Sequence, residues 1–276
     1  MHALRQVDVF SAEPLLGNPV AVVHDADDLS DEQMAAFARW TNLSETTFLL
    51  RPTDPAADYR LRIWTPGREL PFAGHPTLGS AHAWLEAGGV PAAAERVVQE
   101  CGAGLVDVRR GERLAFTAPP LTRSGPVDRG DLDHAVRVLG LDAADVVDAA
   151  WIDNGPGWMG LLLTDAATVL DCRPDFGAFD GLKVGVVGAH RPGSACAVEV
   201  RAFCPGYGPA EDPVTGSLNA GVAQWLAGTR LPTSYVAAQG TALGRRGRVH
   251  VDLVEGVVRV GGDTRTTISG TVGLTD

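Results

Sequence analysis

Cysteine is scarce in this chain and forms no pattern. The four cysteines, at 101, 172, 196 and 204, make no C-x-x-C pair and no zinc-ligand spacing. They read as reduced thiols. The opening residues Met1-His2-Ala3-Leu4-Arg5-Gln6 hold no apolar signal core, so the expectation is a cytoplasmic protein. No run of about 20 apolar residues is present, so no segment reads as a membrane-spanning helix and no membrane partner is expected. Basic clusters are missing too. None exceeds Gly244-Arg245-Arg246-Gly247-Arg248, which reads as a turn with solvated arginines, and with a net charge of −11 no nucleic-acid partner is expected. There is no G-x-x-x-x-G-K-[ST] phosphate loop and no strand-linked G-x-G-x-x-G turn. The expectation left standing is chemistry with no cofactor and no metal.

Glycine and proline, by contrast, are plentiful. The 33 glycines and 18 prolines call for many turns and suit a strand-rich fold. Hydrophobic residues make up 45% of 276 residues, enough for two cored domains.

Two stretches nearly repeat each other. Arg62-Ile63-Trp64-Thr65-Pro66-Gly67 leads into Glu69-Leu70-Pro71-Phe72-Ala73-Gly74-His75-Pro76-Thr77-Leu78-Gly79-Ser80-Ala81. Arg201-Ala202-Phe203-Cys204-Pro205-Gly206 leads, after a longer spacer, into Glu211-Asp212-Pro213-Val214-Thr215-Gly216-Ser217-Leu218-Asn219-Ala220-Gly221-Val222-Ala223. The copies lie 142 residues apart, from Gly74 to Gly216. Self-similarity at half length predicts two similar domains, with a ligand cleft between them. Each copy reads as strand, turn, helix, with His75 or Ser217 as the capping candidate and Gly88 or Gly228 as the stop. Pro76 suits a first helical position. Both helices are apolar almost all round, which predicts burial on every side. The expected fold is α+β: two pseudo-symmetric domains, each a strand barrel wrapped around one central apolar helix. Ala118-Pro119-Pro120 is the best linker, dividing the chain into 1–118 and 119–276, with a strand near 265–276 as the candidate to cross back.

Two helix N-termini aimed into one cleft would hold a small anionic substrate through their N–H groups and partial positive charge. Glu45, in Asn42-Leu43-Ser44-Glu45-Thr46-Thr47-Phe48, leads into an apolar strand with no opposite charge near it in sequence. A partly buried carboxylate so placed can exchange protons near neutrality. The bland reading is a solvated strand end. His75 is either a core histidine or a turn residue that faces the ligand. Asp212 fixes its turn or orients a substrate, and Ser217 caps its helix or donates to a ligand. His82, seven residues after His75, lacks a third metal ligand in sequence. Cys204 reads as a small buried residue, and the six tryptophans read as core.

These residues resemble the phenazine biosynthesis PhzF family, whose fold is that of diaminopimelate epimerase. The match covers Val7-Asp8-Val9-Phe10, Gly17-Asn18-Pro19-Val20-Ala21-Val22, the Glu45 segment and both motif turns, and Gln239-Gly240 with Gly244-Arg245 is similar to the family's late turn. The resemblance implies proton transfer by Glu45, with His75, Asp212 and Ser217 at the other active-site positions. The expected substrate-binding residues are Asn18, Gly74, Thr77, Thr215 and Gly216. It also implies a homodimer and an isomerisation without cofactor, with trans-2,3-dihydro-3-hydroxyanthranilate as the leading specific substrate. Epimerases of this fold carry paired cysteines at the two helix turns, where this chain has Ala73-Gly74-His75 and Thr215-Gly216-Ser217, so two-thiol racemisation is not expected. Pro213-Val214 stands where phenazine-pathway members carry Ala-Ala, so the chemistry carries over better than the substrate does. An amino-acid racemase and a non-catalytic binder of small acids are the alternatives.

Overall fold

In the computed structural model the chain divides into two compact units: Met1–Thr117 with the segment from Gly261 on, and Ala118–Val260. The structure describes residues 1–206 and 209–274. Tyr207 and Gly208 of the second spacer, and Thr275 and Asp276 at the end of the expected crossing strand, lie outside the described residues. The return to the first unit begins earlier than 265. Asp263 already accepts from the Phe10 amide at 2.7 Å and from Arg113 Nε at 3.1 Å.

The first unit runs β1 (His2–Val9), β2 (Asn18–Val23), α1 (Asp31–Thr41), β3 (Glu45–Leu50), β4 (Tyr59–Trp64), β5 (Glu69–Leu70), α2 (Gly74–Glu86), β6 (Arg96–Cys101), β7 (Gly104–Arg110) and β8 (Leu114–Thr117). The next elements are β9 (Arg123–Pro126), α3 (Arg129–Leu139), β10 (Val146–Asp153), β11 (Met159–Leu163), α4 (Ala166–Asp171), β12 (Val184–Ala189), β13 (Val198–Phe203), β14 (Glu211–Asp212), α5 (Gly216–Leu226), β15 (Ser234–Gln239) and β16 (Gly247–Val254). Then β17 (Val257–Gly262) leads to β18 (Thr264–Val272), which rejoins the first unit.

Both units use one pairing scheme. In the first, β1–β2 is antiparallel, β2–β3 parallel, β3–β4 and β4–β5 antiparallel, β4–β6 parallel and β6–β7 antiparallel. In the second, β10–β11, β11–β12, β12–β13, β13–β14, β13–β15 and β15–β16 repeat those senses in the same order. The flanking strand matches as well: β18 pairs antiparallel with β1 as β9 does with β10.

Each unit wraps its strands around one helix. α2 packs on β1, β2, β3, β6, β7, β8 and β18, and Gly74 through Ala81 are all buried. α5 packs on β10 and β16 and buries Gly216 through Ala223. This explains the second glycine of each motif. A Cβ on Gly79 would stand 2.4 Å from Val20 Cγ1, and one on Gly221 would stand 2.4 Å from the Ile152 carbonyl oxygen. At Gly221 the strand backbone itself blocks a side chain, and at Gly79 a valine would have to move to admit one.

The repeated arginine and glutamate belong to the frame. Arg62 grips Glu69 through two bonds of 2.7 Å and lies over the Trp64 ring. Arg201 grips Glu211 at 2.9 and 2.8 Å and lies over Phe203. Each pair ties a long strand to the two-residue strand that feeds the central helix. Outside the barrels, smaller apolar clusters sit under the surface helices. One joins Met34 and Phe37 of α1 to Val23 and Phe48, and the other joins Val138 and Leu139 of α3 to Leu161 and Val184.

Two local expectations need correction. Trp40 is 81% exposed at the end of α1, where it stacks on Phe37 from the solvent side, so the tryptophans are not all core. Cys204 is half-buried, because the strand that would have covered it ends at Phe203.

Candidate active site

The two central helices begin earlier than their capping candidates. The N-caps are Ala73 and Thr215, so His75 and Ser217 are second helical residues and Pro76 is the third. Neither N-cap side chain bonds the first turn, and neither first turn holds an acidic residue. The three outer helices differ. Ser30 forms a capping box with Gln33, Asp128 caps α3 and Asp165 caps α4. An uncapped helix start presents unused N–H groups and the positive end of the helix dipole. Side-chain caps are thus present on the three outer helices and on neither buried start.

In the first unit three of the expected residues come together. His75 is 3% exposed, and its Nδ1 lies 3.3 Å from Asn18 Nδ2. The ring also meets the Pro19 carbonyl. On the other side Nε2 lies 3.4 Å from Glu45 Oε2. Burial pushes the imidazole pKa down to about 3. The ring is therefore neutral at physiological pH, and the contact with Glu45 is not an ion pair. His75 thus sits as a neutral ring between Glu45 and the Asn18–Pro19 turn, bonded to the turn and in close contact with the carboxylate. Strand order creates this neighbourhood. Parallel pairing sets Glu45 opposite Val20, two residues from Asn18. The Glu45 side chain is 14% exposed.

Gly74, next to His75, opens α2 and is buried. Thr77 is fully buried, and its hydroxyl accepts from Gln99 Nε2 at 3.1 Å. Gln99 in turn accepts from Tyr59 at 3.1 Å. Thr77 thus anchors the helix to β4 and β6. His82 is used in the same structural way: its two ring nitrogens meet Thr264 and Thr266 of β18 at 3.0 and 3.2 Å, and burial lowers its pKa.

In the second unit the turn is locked by Gln239. Its Oε1 accepts from the Thr215 amide at 3.0 Å and from Asn219 Nδ2 at 2.9 Å. Its Nε2 donates to Thr215 Oγ1 at 2.9 Å and to the Asp212 carbonyl at 3.2 Å. The Thr215 hydroxyl donates to Asp212 Oδ2 at 2.5 Å. Asp212, Thr215 and Gly216 are thereby brought together. Ser217 is 6% exposed, and its Oγ accepts from Trp158 Nε1 at 3.0 Å. That bond leaves the hydroxyl proton as a donor. Asn154 Nδ2 donates to the Ser217 carbonyl at 2.8 Å.

Sequence reading missed Trp158 and Asn154 as partners of Ser217. Both flank the Gly155-Pro156-Gly157 turn, and no sequence rule ties that turn to a helix start more than fifty residues on. The four cysteines lie outside both first turns.

A family model described as phenazine biosynthesis-like protein (PhzC-PhzF) matches residues 7–274. The chain is 38% identical to "Antisense-enhancing sequence 1" of Schizosaccharomyces pombe, over 98% of each chain. It is 37% identical to the trans-2,3-dihydro-3-hydroxyanthranilate isomerase of Pseudomonas aeruginosa, over 91% of this chain and 90% of that one. Among solved structures, a phenazine biosynthesis PhzF family protein of Enterococcus faecalis superposes with a TM-score of 0.79 at 27% identity, covering 98% of both chains.

Proposed function

This chain belongs to the phenazine biosynthesis-like family, and from that premise we propose a cofactor-independent isomerase that moves a proton between two carbons of a small carboxylic or amino acid. Glu45, as carboxylate, takes the proton from an activated carbon. The resulting delocalised anion is stabilised by N–H groups at the uncapped helix starts and by the Ser217 hydroxyl. Glu45 then returns the proton to another carbon of the same system, so one group serves as base and acid. His75 stays neutral throughout and holds Glu45 in place without competing for its proton. Asp212, fixed by Thr215, orients a polar group of the substrate. The observation that carries this reading is Glu45 held 3.4 Å from a neutral, buried His75 at a helix start that has no cap.

The best specific substrate is trans-2,3-dihydro-3-hydroxyanthranilate, which the Pseudomonas relative's name supports. Pro213-Val214 departs from the phenazine-pathway pattern and weighs against this particular molecule more than against the chemistry. Racemisation by two thiols finds no support, since the first turns carry His75 and Ser217 and no cysteine.

The test is conversion of trans-2,3-dihydro-3-hydroxyanthranilate in deuterated water, native protein against Glu45→Gln. Turnover with deuterium incorporation by the native protein, lost in the folded variant, supports the reading. Incorporation by both would remove Glu45 from the chemistry. A native protein that takes up the substrate and exchanges nothing is a binder. Exchange with loss of optical rotation and no change in absorbance would mark a racemase.

A further inference from the structure

Superposing the two strand schemes by their register shows what stands where Glu45 stands. In β3–β4, Phe48 faces Arg62 and Thr46 faces Trp64. In β12–β13, Val186 faces Arg201 and Val184 faces Phe203. Arg62 and Arg201 open the two copies of the motif, so Thr46 corresponds to Val184, and Glu45 to Lys183. The acid of the first unit has a cation as its counterpart in the second.

Lys183 immediately precedes β12, as the register counterpart of Glu45. Alternation along the strand puts it on the face of Gly185, and a Cβ on Gly185 would stand 2.2 Å from Leu218 Cδ1, in the first turn of α5. In the first unit Thr47, two residues after Glu45, likewise meets Ser80 of α2 at 2.9 Å. Lys183 is 8% exposed, and its ammonium donates to the Pro156 carbonyl. The same loop sends Trp158 Nε1 to Ser217 Oγ. An ammonium, a serine hydroxyl and an uncapped helix start thus share one end of the second unit. A lysine cation and a helix N-terminus reinforce each other toward an anion. A second feature points to a ligand with a donor of its own. Asn154 is 6% exposed and bonded to the Ser217 carbonyl, and its Oδ1 has no partner among the described residues. A buried acceptor of this kind calls for a donor.

We propose that Lys183 is the carboxylate anchor of the second unit, binding with Ser217 and the first turn of α5 an acid whose neighbouring amine or hydroxyl donates to Asn154. The assignment rests on the isomerase reading for its purpose, and it makes Lys183 a positioning residue that carries no proton to carbon. It narrows the substrate class to acids with an N–H or O–H donor beside the carboxylate.

The test uses a non-reacting probe, so it does not depend on Glu45 chemistry. Anthranilate is titrated into the native protein and into Lys183→Met, Lys183→Arg and Glu45→Gln, following the Trp158 indole N–H by NMR and affinity by calorimetry. 2-Aminobenzamide, the neutral analogue, is the control. The expected result is native binding of anthranilate, a loss of at least tenfold in Lys183→Met down to the level of the amide, retention in Lys183→Arg, and little change in Glu45→Gln. If the native protein turns over a substrate, Lys183→Met raises KM far more than it lowers kcat. Equal affinity for anthranilate in folded Lys183→Met, or no preference of the native protein for the acid over the amide, overturns the proposal. Should Lys183→Met fail to fold, Lys183→Gln and Lys183→Arg decide it: the glutamine variant loses the preference and the arginine variant keeps it. Absence of deuterium exchange on any substrate would sink the isomerase reading while leaving the anchor measurable.

Discussion

The first turn of α2 and the first turn of α5 share a frame and differ in what they carry. Each is entered by an arginine–glutamate grip, starts without a cap and holds its second glycine against a strand. In the first unit the turn gathers a carboxylate and a neutral imidazole. In the second it gathers a hydroxyl held by an indole, and a carboxylate held by a threonine. The frame is conserved between the halves where backbone must be positioned. It diverges in the side chains that the proposed reaction would use. Duplication alone therefore does not produce two equal acid/base groups.

The comparison can be tested at several strengths. The largest effect is expected on activity. Glu45→Gln should lower kcat by up to about 10⁴-fold, and Ser217→Ala by nearer 10²-fold, measured as deuterium incorporation. Equal losses would mean that both turns do proton chemistry. Next come the grips. Arg201 and Glu211 are 6% and 8% exposed, so Arg201→Ala strands a buried carboxylate and should cost about 3–5 kcal/mol in urea unfolding. Arg62 faces a Glu69 that is 38% exposed, so Arg62→Ala should cost about 1 kcal/mol or less.

A third test uses acid. His75 has a folded pKa of about 3, below the unfolded value of 6.5, so the folded state prefers the neutral ring. Its stabilisation is complete above pH 6.5 and is lost as pH falls toward 3, by an amount on the order of a few kcal/mol. His75→Gln should flatten that part of the stability–pH curve, and Ser217→Ala should leave it unchanged. The finest distinction is between the two glycines. Gly221→Ala meets a backbone carbonyl and Gly79→Ala meets a valine side chain that can turn. Both should lower stability by about 1–3 kcal/mol, with Gly221→Ala the worse, read as the shift in Tm.

Much of the frame was legible because it is local. The repeat located both buried helices, alternation located the long strands, and Ser30 with Gln33 announced α1. The capping rule failed at the two central helices because it assumes that a helix start seeks a side chain of its own. These starts forgo caps, so Ser217 and His75 looked like caps two positions too late. β9 and α4 escaped notice because four and six residues are too few to show a period. In the site, Glu45 and His75 were legible one at a time, and their contact was not, since it depends on the parallel pairing of β2 with β3. Trp158, Asn154 and Lys183 needed register as well as composition.

The return of β18 has a consequence for how the chain comes off the ribosome. His2 pairs with Val272, so the first unit lacks a flanking strand until β18 has been made. The second unit, Ala118–Val260, is complete earlier, although it is the later half. The nascent first unit must wait, with the β1 edge uncovered, while the second forms. The same pairing puts His2 and Val272 side by side. A permuted chain that begins near Gly261 and joins Leu274 to His2 through a short linker would make each half continuous, and would let the first unit fold without waiting.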